Sequence, residues 1–297
     1  MPALNYDRIV GRDNWKYISQ IDSIDEKNAG TVKLSPVELR HWALTIEHRM
    51  AWCARYGITY SFIIAPNKAT IYPEFLEVCH RPVRNRDLPA LKAYLAANSN
   101  AYLLDPTARL LAEKAKQDVY YRSDEHWNHY GAFIAYEMLM EDINQSLDIA
   151  PITADRLVKR NAPFIGGLEA MVEKPEAEHI DLLSVKDGLS RQIYVNKTGG
   201  RGKIQIFESA NKSLPRAVMF RDSYGSFMLP FISETFSRVA VVSHRGLMFD
   251  LIQHEKPDVV IHELCERYLD PVPDDIKGRP FDEYCSAPLS DLPPIAS

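Results

Sequence analysis

Asp124-Glu125-His126-Trp127 and Arg221-Asp222-Ser223-Tyr224-Gly225 hold the residue types from which an acyl-transfer site is built. A serine hydroxyl is a poor nucleophile at neutral pH until a base takes its proton, and an imidazole base needs an acid to hold its tautomer. Asp124 stands two residues before His126, a spacing that in an extended or turned chain puts both side chains on one side. Ser223 follows an apolar run, Ala217-Val218-Met219-Phe220, that reads as a buried strand, and it precedes a helix-like stretch. A serine at such a turn exposes its hydroxyl, and amides at the helix start can face an oxyanion. The two segments thus offer Ser223 as nucleophile, His126 as base and Asp124 as its orienting acid. Other readings stay open at this level. Ser223 fits a helix cap, Asp124 and Asn128 fit a helix N-terminus, and Asp124, His126 and His129 offer donors for a metal.

The elements that must carry these residues alternate along the chain. Ser35-Pro36-Val37-Glu38 has a cap, a first-turn proline and a capping-box glutamate, and Leu39, Trp42, Ala43, Ile46, Met50 and Cys53 then recur at helical spacing up to Gly57. Ile58 to Ala65 reads as a strand ended by Pro66. Helices are predicted over 87–97, 106–116 and 128–143, with short strands over 101–104 and 119–122. Apolar runs at 217–220, 239–242 and 259–261 are each followed by a helical stretch, at 226–236, 247–254 and 264–268. Near-continuous apolar strands separated by amphipathic helices predict a three-layer α/β/α sandwich with a mostly parallel sheet, flavodoxin-like in type.

One region breaks that rhythm. Residues from about 151 to 210 contain Gly166-Gly167, an acidic stretch, and two strand-like runs flanking Gly199-Gly200-Arg201-Gly202. They are expected to form a β-containing insertion with a hairpin over one edge of the sheet. The proline-rich tail, 271–297, is expected to be irregular, and the whole chain to be one domain.

With 297 residues, 46% hydrophobic and 25% charged, the chain has ample material for one large core. A net charge of −5 with no basic run excludes a nucleic-acid binder, and no apolar stretch is long enough for a transmembrane helix. The start, Met1 to Asp7, lacks the basic and apolar regions of an export signal, which by itself predicts a cytoplasmic protein. Four scattered cysteines, Cys53, Cys79, Cys265 and Cys285, form no CxxC pair.

Asp124-Glu125-His126-Trp127 followed by Gly131-Ala132 resembles the D-x-H-W…G-A signature of the alginate O-acetyltransferase (AlgJ/AlgX) group within the SGNH-hydrolase-like superfamily. Three more segments are similar in order: Gly11-Arg12-Asp13-Asn14-Trp15, Ile64 to Pro73 with Pro66, Lys68 and Tyr72, and Asp258 to Tyr268 with Glu263, Glu266 and Arg267. The resemblance covers roughly residues 8 to 270. It implies the Ser223, His126 and Asp124 roles given above and O-acyl, most simply O-acetyl, transfer on a carbohydrate. It also implies an acyl donor, association with a polysaccharide-assembly complex, and a periplasmic location if a leader has been removed. No metal or nucleotide cofactor is required. Lys68, Tyr72, Trp127, Tyr224 and Arg221 are the substrate-binding candidates, Lys68 for an anionic sugar and the aromatics for stacking. Glu263 and Arg267 are expected to form a structural pair. The serine turn departs from the glycine-led turn of SGNH hydrolases. An acetylesterase using the same residues, and a non-catalytic glycan-binding or scaffold protein on this fold, are the competing functions.

Overall fold

A computed structural model describes residues 7–295, so most of the stretch read for an export signal lies outside the described residues. The strands are β1 (Asp7–Val10), β2 (Lys16–Ser19), β3 (Thr59–Ala65), β4 (Leu157–Phe164), β5 (Glu178–Val185), β6 (Ser190–Val195), β7 (Ile204–Ser209), β8 (Arg216–Arg221), β9 (Arg238–Ser243) and β10 (Val259–Cys265). The helices are α1 (Ile24–Ala29), α2 (Pro36–Arg55), α3 (Lys68–Ile71), α4 (Asp87–Asn98), α5 (Thr107–Glu113), α6 (His129–Ile143), α7 (Leu229–Thr235), α8 (Phe249–Glu255) and α9 (Phe281–Cys285).

The central sheet runs β3-β10-β8-β9-β7-β6. Its first four strands are mutually parallel, β7 and β6 add on antiparallel, and β8 and β10 are buried on both faces. One face, with Ile63, Met219, Val241 and Ile261, packs on α6 and α7 through Phe133, Tyr136, Phe231 and Ile232. The other, with Phe62, Ile64, Val218, Phe220, Val242 and Val260, packs on α2, α4 and α8 through Trp42, Ile46, Leu91, Leu251 and Ile252. Each such side chain taken from water contributes about 1.5–3 kcal/mol, which is why the strands read as unbroken apolar runs. Helix α2 starts on the capping box its sequence encodes: Ser35 N–H donates to Glu38 Oε2 at 2.6 Å and Glu38 N–H to Ser35 Oγ at 3.3 Å.

Several elements differ from their sequence reading. Over 101–104 only Leu104 bridges the sheet, to Ile63, because Pro106 follows at once, and over 119–122 only Tyr120 is bridged, to Trp127, because the chain doubles back there. The run expected to turn helical at Leu264 instead stays in β10 through Cys265, where β3 pairs with it along its full length. The region 151–210 divides in two. Strands β4 and β5 form a separate antiparallel ribbon, whereas β6 and β7 extend the main sheet, since Ile204 and Ile206 alternate into the core. Within the tail, α9 docks Phe281 and Cys285 into the same core.

Candidate active site

All four parallel strands end on one edge of the sheet, where ligands bind in open α/β folds. The loops after them carry Lys68 (β3), Arg221 to Ser223 (β8), His244 and Arg245 (β9) and Arg267 (β10). A cleft of about 370 Å³ opens there, lined by Asp22, Glu125, His126, Arg201, Arg221, Ser223, His244, Arg245, Arg267, Tyr268 and Tyr284 among others.

The Asp124–His126 loop and the serine turn, far apart in sequence, meet at this edge. His126 Nε2 lies 2.7 Å from Ser223 Oγ, and His126 Nδ1 lies 2.5 Å from Asp124 Oδ1. Asp124 is fixed further: its Oδ1 accepts from the His126 amide at 3.0 Å and its Oδ2 from the Gly167 amide at 2.6 Å. Burial alone would push the Asp124 carboxyl up, but the hydrogen bonds and charge of the imidazole outweigh it and hold the carboxyl well below its ordinary range. Burial likewise opposes the imidazolium of His126. The hydrogen bond and charge of Asp124, with Glu125 adding to them, outweigh it and raise the imidazole above its ordinary value. His126 thereby holds a proton more tightly than an ordinary histidine.

Main-chain hydrogen bonds hold the two segments together. Trp127 Nε1–H donates to the Tyr224 carbonyl at 2.9 Å, and Tyr224 O–H donates to the Glu125 carbonyl at 2.8 Å, a reciprocal clasp between the segments. Lys68 is buried, and its ammonium donates to the carbonyls of Lys16, Arg122 and Asp124 at 2.6, 3.0 and 2.8 Å, which saturates its three donors. Its ammonium also lies over the rings of Trp15 and Tyr17. Glu178 of β5 accepts from the amides of Arg122 and Ser123, bracing the same loop from the ribbon side. Gly166 runs against the Ser123 backbone so closely that a Cβ would collide with it.

Of the substrate-binding candidates, the structure brings only Arg221 to the cleft wall. Lys68, Tyr72, Trp127 and Tyr224 are buried, so their sequence-based assignment to sugar binding gives way to a bracing role. Tyr72 accepts from the Val119 amide at 2.9 Å and stacks on Trp15 with centroids 4.2 Å apart. The grouping of Asp124, His126 and His129 as metal ligands is not assembled, because His129 Nδ1 turns to the main chain of Leu183. Among the described residues, the one cluster of metal-type donors is Glu77, Cys79 and His80, exposed and outside the cleft lining.

Glu263 and Arg267 do not pair. Arg267 donates to Glu125 Oε1 at 2.9 Å. Glu263 lies buried under the serine turn, its Oε2 accepting from the Asp222 and Gly225 amides at 3.3 and 2.9 Å. Burial, and then the neighbouring Asp222 carboxylate, push the Glu263 carboxyl up. Asp222 ties the turn to β10 by accepting from Tyr224 N and Cys265 N at 2.8 and 2.6 Å. The sequence signal for this underpinning is Gly225, where a Cβ would stand 2.7 Å from both Glu263 Oε2 and Arg221 Cβ. Gly225→Ala is therefore expected to cost about 1–3 kcal/mol of stability by overpacking, read by urea denaturation, and to lower turnover by displacing Ser223. Unchanged stability would show that the turn is looser than these contacts.

Known proteins resemble this chain over most of its length. The family described as "SGNH hydrolase-like domain, acetyltransferase AlgX" matches residues 9–212. A probable alginate O-acetylase AlgJ of Pseudomonas putida is 25% identical over 299 residues, covering 95% of this chain and 74% of that protein. Among solved structures, Bacillus cereus PatB1 superposes with a TM-score of 0.68 at 16% identity, covering 92% of this chain and 99% of that one. The O-acetyltransferase domain of Pseudomonas putida AlgJ gives 0.63 at 19% identity, covering 95% and 99%. The α/β/α sandwich is thus SGNH hydrolase-like.

Proposed function

Because this chain belongs to the SGNH hydrolase-like family of AlgX acetyltransferase domains, we propose that it transfers an O-acetyl group onto a polysaccharide through Ser223, His126 and Asp124. Membership makes it an enzyme of the O-acetyltransferase class. The observation that carries the rest is the continuous line from Asp124 Oδ1 through both imidazole nitrogens to Ser223 Oγ.

In this reading His126 Nε2 takes the Ser223 proton as Oγ attacks the acetyl carbonyl of a donor. The imidazolium, held by Asp124, then protonates the leaving group. In the second half a sugar hydroxyl gives its proton to His126 and attacks the acetyl-serine carbonyl. The amides of Asp222, Tyr224 and Gly225 are occupied by carboxyl oxygens, which leaves the Ser223 amide as the nearest main-chain donor for the oxyanion. The arginines and tyrosines of the cleft wall suit a hydroxyl-rich, anionic saccharide such as the alginate named for the AlgJ relative.

The test is turnover of a chromogenic acetyl ester with and without an alginate-derived oligosaccharide. Faster ester consumption and a saccharide heavier by one acetyl group are expected. Acetate alone, at a rate the saccharide leaves unchanged, would make the protein an acetylesterase. No Ser223-dependent turnover of any acetyl ester would leave a glycan-binding fold.

A further inference from the structure

Glu125 stands between the acid and the histidine, and in neither half-reaction does it take or give a proton. Its main-chain carbonyl is held by Tyr224 O–H. Its Oε1 accepts from Arg267 Nη2 at 2.9 Å, and that guanidinium is itself buried over the rings of Tyr268 and Tyr224 at 4.6 and 5.6 Å. The carboxylate is only 12% exposed, and its Oε2 has no partner among the described residues. It lines the cleft beside Ser223, and its Oε1 stands 3.9 Å from His126 Nε2. That gap is too long for a hydrogen bond between them. It suits two neighbouring hydroxyls, one reaching each atom.

We propose that Glu125 is the specificity-determining residue for the acceptor: it accepts a hydrogen bond from the sugar hydroxyl next to the one being acetylated. The proposal rests on the acyl-transfer reading of Ser223. In the second half-reaction the acceptor oxygen bonds to the acetyl carbon and its proton passes to His126 Nε2. Ser223 Oγ leaves with the electron pair and takes that proton back. A water can donate to both atoms too, but only a saccharide brings a second hydroxyl whose bond to Glu125 fixes the attacking one in place. A saccharide with adjacent hydroxyls satisfies both, and a buried carboxylate that is already anchored loses no freedom in receiving it. Transfer is thereby favoured over hydrolysis at the point where the two compete.

The experiment compares wild type with Glu125→Met, which keeps the side chain's length and removes both acceptor oxygens. The chromogenic acetyl ester is the donor, and an alginate-derived oligosaccharide or methanol is the acceptor. The ratio of acetyl-saccharide to free acetate is expected to fall at least tenfold, with the methanol ratio held within about twofold. If Glu125 only neutralises Arg267, both products fall together and an unchanged saccharide ratio overturns the proposal. Should Glu125→Met not fold, Glu125→Asp keeps a carboxylate but shortens the reach by one methylene, and a saccharide ratio equal to wild type overturns it equally. Transfer that survives Ser223→Ala would overturn the acyl-transfer reading instead, so the two failures are distinguishable.

Discussion

Ser223→Ala is expected to lower acetyl-ester turnover by about 10³-fold or more while leaving the protein folded. The Ser223 side chain is exposed, and its Oγ hydrogen bond is to His126 Nε2. Its removal therefore opens no cavity, and the one partner it leaves, His126 Nε2, lines the cleft. The loss falls on the chemistry, because among the described residues Ser223 Oγ is the hydroxyl bonded to the imidazole. Covalent labelling by a fluorophosphonate, read as a mass increment on intact protein, should vanish in the same variant, while its thermal melt stays with wild type. His126→Ala should be as damaging, and the double variant no worse than either single one, since the two side chains act as a unit. Wild-type turnover in Ser223→Ala would remove the nucleophile from the scheme.

Asp124→Asn is expected to leave a small residue of activity and to move the pH profile. Asparagine keeps the shape but not the charge, so the plateau rate should fall by on the order of 10²–10⁴-fold. The sign of the pH shift follows from what holds the imidazole. His126 must be neutral to accept the serine proton, and Asp124 raises its pKa, so the acid limb of wild type lies above the ordinary histidine value. Without that charge, burial dominates and the limb should move to lower pH. The same pair links pH to folding. Asp124, whose carboxyl is lowered, contributes stability above the ordinary carboxylate range and loses it as pH falls through its own value. A profile of kcat/KM against pH decides the matter, and an acid limb that stays in place would mean Asp124 does not set the state of His126.

The acid and histidine two residues apart, and the serine after a strand, were readable because each is a local pattern: a turn and a strand end. What braces them was not. Glu263 beneath Gly225, Gly167 against Asp124 and Glu178 against Ser123 lie dozens of residues from their partners, and no periodicity links them. The burial of Trp127, Tyr224, Tyr72 and Lys68 is hidden from the sequence for a related reason. An aromatic or a lysine beside reactive residues looks like a binding group until the fold shows its polar tip turned to main-chain atoms. The far wall of the cleft, Arg201 from the β6–β7 hairpin and Tyr284 from α9, comes from segments whose sequences signal only a turn and an irregular tail.

The β4–β5 ribbon shares no ladder with the main sheet and looks dispensable. It is not, since the loop joining its strands supplies the amide on Asp124 and β5 supplies the carboxyl group on Ser123. A chain trimmed of that ribbon would keep Ser223 just past the end of β8 yet lose the alignment of its proton acceptor, and Leu183 would be missing from the core beneath it.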